Sequence, residues 1–186
     1  MDIGSLVAPV IQDRELLDEF AEALNDRAPE IERDVASLRK APQDKEITAE
    51  LFRAVHNIKG DAALCKFGLG VAISHPIETM LSRFRDGEIP FSDLLAELIL
   101  LAIDRLELAT DAVLLGKPLD NLNLPTLIQG LNEIAQEIAA QVDASCADVI
   151  EAVTGFPPVI PDISSRAPKS SARRNEQGNA SSDLQF

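Results

Sequence analysis

Tryptophan and tyrosine are absent from the sequence, and seven phenylalanines supply its only aromatic rings. Stacking platforms for single-stranded nucleic acid and aromatic cages are therefore not its chemistry. Basic residues are scarce: 17 Lys and Arg face 31 Asp and Glu, a net charge of −14 that repels a phosphate backbone. Nucleic acid is not an expected partner. Cys65 and Cys146 are the only two thiols, and a chain that is 46% hydrophobic can bury a core without a disulfide scaffold. A reducing cytoplasm is the expected compartment. Long apolar runs are lacking too, because residues 94–103 are interrupted by Glu97 and reach about half the length of a membrane span. Residues 1–11 carry Asp2 and no basic stretch, which is not the pattern of a secretory leader, so no membrane association is expected. There is also no G-x-G-x-x-G or G-x-x-x-x-G-K loop and no metal-ligand cluster. No cofactor, metal site, ATP binding or autonomous kinase activity is expected.

What is present is a 3.6-residue apolar period without strand-like alternation, which predicts an all-α fold. Leu17, Ala21, Leu24, Ala28, Ile31, Val35 and Leu38 keep one stripe in a first segment, with a kink or break expected at Pro29. A second helix is predicted from Ile47 or Thr48, with Thr48 as N-cap and Leu51, Val55, Ile58 and Ala62 buried. Gly68 and Gly70 read as a short connection to a third helix on Ile73, Ile77, Met80, Leu81 and Phe84 that stops at Asp86-Gly87. Ser92 caps a fourth helix from about Asp93 to Leu115, with Phe91 as a staple.

That fourth helix carries two apolar stripes, the second on Leu94, Leu98, Leu101, Leu108, Ala112 and Leu115. An arc so wide calls for a cover, either self-association or a fifth helix opened by Pro125 with Leu127, Leu131, Ile134, Ile138 and Val142 on its stripe. A short helical piece from about Cys146 to Val153, capped by Gly155, follows. The expected organisation is an antiparallel four-helix bundle over residues 1–116 and a C-terminal helical extension packed on it over 117–156. A disordered Pro/Ser-rich tail over 157–186 completes it.

Chemistry concentrates in Leu51-Phe52-Arg53-Ala54-Val55-His56-Asn57-Ile58-Lys59-Gly60. At 100° per residue His56 lies about 125° from the buried stripe and should meet solvent, flanked by Phe52, Lys59, Gly60 and Ala63. A glycine inside a helix costs about 1 kcal/mol relative to alanine, so Gly60 beside the imidazole points to room needed for a partner or a bulky group. Lys59 can balance an anion on the ring. Glu78, at the edge of the third helix's buried stripe, can accept from one ring nitrogen and leave the other nucleophilic. His75, one turn earlier, is a possible further member of the site. Ser74-His75-Pro76 reads alternatively as a helix start, with Ser74 capping and Pro76 in the first turn. The rival reading of the whole chain is a non-catalytic helical adaptor in which His56 is incidental.

With these residues in place, the sequence resembles histidine-containing phosphotransfer (HPt) domains, most closely the N-terminal phosphoacceptor domain of chemotaxis-type, CheA-like histidine kinases. The likeness rests on the ten residues around His56, on His75-x-x-Glu78-x-x-Leu81 and on Arg85-Asp86-Gly87-Glu88, and covers roughly residues 10–116. It implies an antiparallel helical bundle in which His56 takes a phosphoryl group on Nε2. Glu78 would orient the ring through Nδ1, and Lys59 and Gly60 would complete the site. It also implies a histidine kinase catalytic domain as donor and a response-regulator receiver domain as acceptor. Against the family pattern, Asp61-Ala62-Ala63-Leu64-Cys65-Lys66 after Gly60 predicts a bulkier or more charged far wall, and Pro76 interrupts a helix that is usually unbroken. The chain is expected to act as a phosphorelay intermediate, alone or as part of a longer signalling protein.

Overall fold

The computed structural model describes Leu6, Pro9, Ile11 and residues 13–159. Among the described residues there is no strand; the chain is an all-α bundle. The tail expected over 157–186 lies, from residue 160 onward, outside the described residues. Four helices form the bundle: α1 (Arg14–Lys40), α2 (Lys45–Leu64), α3 (Gly68–Arg85) and α4 (Asp93–Leu114). A 3-10 turn (Asp120–Leu122) leads to α5 (Leu124–Ile134) and α6 (Ala139–Thr154). α1 packs on α2 and α4, α2 on α3, and α3 on α4; α5 rests on α3 and α6, and α6 on α4.

The core is the predicted set of stripes. All seven apolar positions of α1 are buried, as are Leu51, Val55, Ile58 and Ala62 of α2 and Ile73, Ile77, Met80 and Leu81 of α3. α1 nevertheless passes through Pro29 unbroken. Pro29 is exposed, as is Asn25, whose carbonyl loses its helical donor and can be hydrated instead. Packing on either side then holds the helix together.

Two helix starts differ from expectation. α2 begins three residues earlier than Thr48, because the Asp44 side chain accepts from the backbone N–H groups of Glu46 and Ile47. Thr48 is buried inside the helix and returns its hydroxyl proton to the Asp44 carbonyl. α3 begins at Gly68, so both glycines and Ser74-His75-Pro76 lie within it. Ser74 is fully buried and donates to the Gly70 carbonyl at 2.6 Å rather than capping anything. The cause is contact: a Cβ on Gly70 would stand 2.7 Å from the Ala62 Cβ. Gly70 thus lies where α2 and α3 approach closely and is not a loop residue.

The stripe predicted for one fifth helix divides into α5 and α6, leaving Ile138 exposed in the link. Arg83 of α3 ends α5: its guanidinium donates to the Ala135 carbonyl at 3.1 Å and the Glu137 carbonyl at 2.8 Å. On α4, Leu98 is buried, Leu94, Leu101 and Ala112 are half-buried, and Leu108 and Leu115 remain exposed. Arg83→Ala removes both carbonyl bonds and an exposed ion pair with Glu88 at 3.1 Å, and is expected to cost about 2 kcal/mol. Urea unfolding measures the loss, and faster amide exchange in α5 than in α1 would locate it.

Both cysteines are free and buried. Burial pushes the Cys146 thiol up to about 12 and raises that of Cys65, so neither is a nucleophile at neutral pH. No helix among the described residues is long and apolar enough to cross a membrane.

Candidate functional site

The antiparallel packing of α2 on α3 brings His56, Lys59 and Glu78 together across one interface. His56 and Lys59 are three residues apart and share a face of α2, while Glu78 projects from the edge of the α3 stripe. The His56 side chain is 57% exposed, whereas that of Glu78 is 12% exposed. His56 Nδ1 stands 2.5 Å from Glu78 Oε1, and Lys59 Nζ donates to Oε2. Both carboxylate oxygens are thereby used. An ionised carboxylate only accepts, so the proton of this bond belongs to Nδ1, and the neutral ring then carries its lone pair on Nε2.

Burial by itself would raise the Glu78 pKa. Hydrogen bonds from Lys59 and His56, and their charges, outweigh it and hold the carboxyl below its ordinary value. The sign follows: a carboxylate whose folded pKa is depressed stabilises the fold above its unfolded pKa, and that contribution disappears as pH falls through the folded one. Wild type and Glu78→Gln should therefore differ in urea midpoint at neutral pH and converge only in acid, as pH falls through the depressed folded pKa of Glu78.

The remaining residues take distinct places. Gly60 is exposed, and a Cβ there would meet nothing within 4 Å, so the surface beside His56 is open. His75 is exposed on α3 with Nδ1 3.8 Å from Glu78 Oε2, beyond hydrogen-bond reach. Immediately beside His56 the far wall is small, and the bulkier Leu64, exposed, lies about two turns further along α2. Asp61 turns toward α1, where Arg27 donates to it at 2.6 Å; Ala62 is in the core and Ala63 is small. Pro76 does not displace Glu78, because the buried stripe keeps α3 continuous.

One grouping escaped sequence reasoning. The Phe52 ring lies nearly parallel to the His56 ring, centroids 6.2 Å apart at 18°, and the Arg85 guanidinium sits 4.8 Å from the Phe52 centroid. Arg85 was visible only as part of Arg85-Asp86-Gly87-Glu88. Nothing local links it to Phe52, 33 residues earlier.

Comparison with known proteins agrees with the geometry. The family model of the Hpt domain matches residues 15–109. The chain is 32% identical over 128 residues to the chemotaxis protein CheA of Cereibacter sphaeroides, covering 68% of this chain and 18% of that one. It is 28% identical over 94 residues to CheA of Borreliella burgdorferi, covering 50% and 11%. Likeness to the sensor histidine kinase CheAY of Helicobacter pylori is 25% over 91 residues, covering 49% and 11%. The matched stretch is thus a small part of each of these relatives. A helical bundle presenting His56 against Glu78, with a family match spanning α1 through most of α4, makes this chain a member of the Hpt domain family, similar to CheA-type phosphoacceptor domains and belonging to phosphorelay signalling.

Proposed function

We propose that His56 is the phosphoryl carrier of a relay, with residues 1–116 as the acceptor bundle and 117–156 as an extension braced against it. The observation that carries this reading is the 2.5 Å bond between His56 Nδ1 and Glu78 beside the open surface at Gly60. Nε2 attacks the phosphorus of a donor phosphoryl group, an N–P bond forms, and the donor's P–O bond breaks with its electron pair leaving on oxygen. The ring becomes cationic in that step, and Glu78, accepting from Nδ1–H, stabilises the charge. In the return step a carboxylate oxygen of a receiver aspartate attacks phosphorus, the N–P bond breaks, and the imidazole regains its lone pair. Lys59 lies on the same face to balance phosphoryl charge, and His75 can add a second cation when protonated. A histidine kinase catalytic domain supplies the group from ATP, and the receiver brings magnesium with its aspartate. The bundle contributes placement and charge balance.

Treatment with phosphoramidate, which phosphorylates accessible imidazoles without any enzyme, tests the acceptor. One acid-labile, base-stable phosphate mapped by mass spectrometry to His56 is expected. Label confined to His75, or none, would leave the adaptor reading in force. Glu78→Gln should slow labelling about 10- to 100-fold, the usual effect of losing a group that orients a reactive histidine.

A further inference from the structure

The face of α2 that surrounds His56 is unlike the rest of this acidic chain. Residues spaced along it at helical intervals are Lys45, Ala49, Phe52, Arg53, His56, Lys59, Gly60 and Ala63, and none is a carboxylate, although the chain holds 31 Asp and Glu against 17 Lys and Arg. Most carboxylates at its borders are occupied or turned away, the exception being exposed Glu46, about 80° around α2 from His56. Asp44 caps α2, Glu78 holds His56 and Lys59, Asp86 faces Arg85 at 3.3 Å, and Glu50 lines a groove on the α1 side that Arg53, at the edge of the face, also borders.

The face is also asymmetric along the helix. C-terminal to His56 it is low: Lys59 is tied down to Glu78, and Gly60 and Ala63 are both exposed and small. N-terminal to His56 it gathers exposed Lys45 and Arg53, neither in an ion pair among the described residues, and the Phe52 ring with Arg85 over it. It then opens into a groove of about 460 Å³ lined by Pro42, Gln43, Lys45, Thr48, Phe84 and Arg85.

We infer that the partner which discharges His56 docks off-centre, from His56 toward the N-terminal end of α2 and into this groove, and that it presents an acidic face there. The inference rests on the phosphocarrier reading of His56. A receiver domain has the required chemistry, since its acceptor aspartate sits among carboxylates that bind magnesium. The cationic end of the face steers that cluster onto His56, the low end admits its backbone, and the groove fixes orientation. Charges at such a border act on encounter more than on the bound complex.

The test separates docking from reactivity. Wild type and the double variant Lys45→Glu/Arg53→Glu are charged with phosphoramidate, which needs no docking. Each is then mixed with the receiver that discharges wild type fastest in a panel of purified receiver domains with magnesium. Equal labelling of His56 is expected in both. The second-order transfer rate of the double variant should be about 10- to 100-fold lower at low salt and approach wild type at about 0.5 M salt. First-order transfer at saturating receiver should agree within about two-fold. Lys117→Glu, exposed outside this face, should leave the rate near wild type. Failure of wild type to label at His56 would remove the carrier reading itself. Normal labelling with unchanged transfer in the double variant, an equal loss in Lys117→Glu, or no discharge by any receiver would overturn the docking inference and leave the carrier reading intact.

Discussion

His56→Gln is expected to abolish transferable phosphate entirely while leaving the bundle's stability within about 1 kcal/mol of wild type. The imidazole is 57% exposed, so its replacement opens no cavity. A glutamine amide can still donate to Glu78, which keeps the buried carboxylate and Lys59 partnered and avoids the penalty of an orphaned charge. What disappears is the lone pair on Nε2. No other group can take over: His75 is the only other imidazole in the chain, its Nδ1 stands 3.8 Å from Glu78 Oε2, and the acid already binds His56 and Lys59. His75→Gln is therefore expected to retain labelling within about three-fold, under about 0.7 kcal/mol in the barrier. Urea unfolding and phosphate incorporation on the two variants separate these outcomes. Residual label in His56→Gln above that of the unfolded chain would contradict the assignment.

The site was legible because its signals are local. His56, Lys59 and Gly60 lie within one and a half turns, and Glu78 falls at the edge of an apolar stripe that period alone defines. Contacts between distant segments were not legible. Gly68 and Gly70 read as a connection because glycine is a poor helix former, whereas Gly70 is set by its approach to Ala62. The helix break after Ile134 is set by Arg83, 52 residues from the carbonyl of Ala135 that it holds. The stack of Arg85, Phe52 and His56 needs α2 and α3 already paired. At the start of α2 the sequence pointed to Thr48 as the cap, but the Asp44 carboxylate reaches two backbone donors and takes the position instead.

Gly70→Val carries the largest expected structural effect and links packing to chemistry. At an unconstrained helical glycine a side chain would be gained at little cost. Gly60→Ala, with nothing within 4 Å of its Cβ, should stabilise the bundle by about 1 kcal/mol. At Gly70 the new Cβ meets the Ala62 Cβ at 2.7 Å and the Phe67 ring at 3.1 Å. Ala62 has no rotamer with which to retreat, so α2 and α3 must separate by about 1 Å to restore contact distance, and the two γ-methyls widen the gap. Overpacking of this kind costs about 3 kcal/mol. The same interface holds His56 against Glu78, six residues from Ala62 along α2, or about 9 Å at 1.5 Å per residue. Displacement by about 1 Å pulls the Nδ1 bond out of range, frees the ring to turn, and should slow phosphoryl acceptance about 100-fold in molecules that remain folded. Urea denaturation of Gly70→Val and Gly60→Ala, with labelling rates measured well below the melting temperature of each, reads both effects. Loss of stability in Gly70→Val with an undiminished labelling rate would show that the His56–Glu78 contact does not depend on how closely α2 approaches α3.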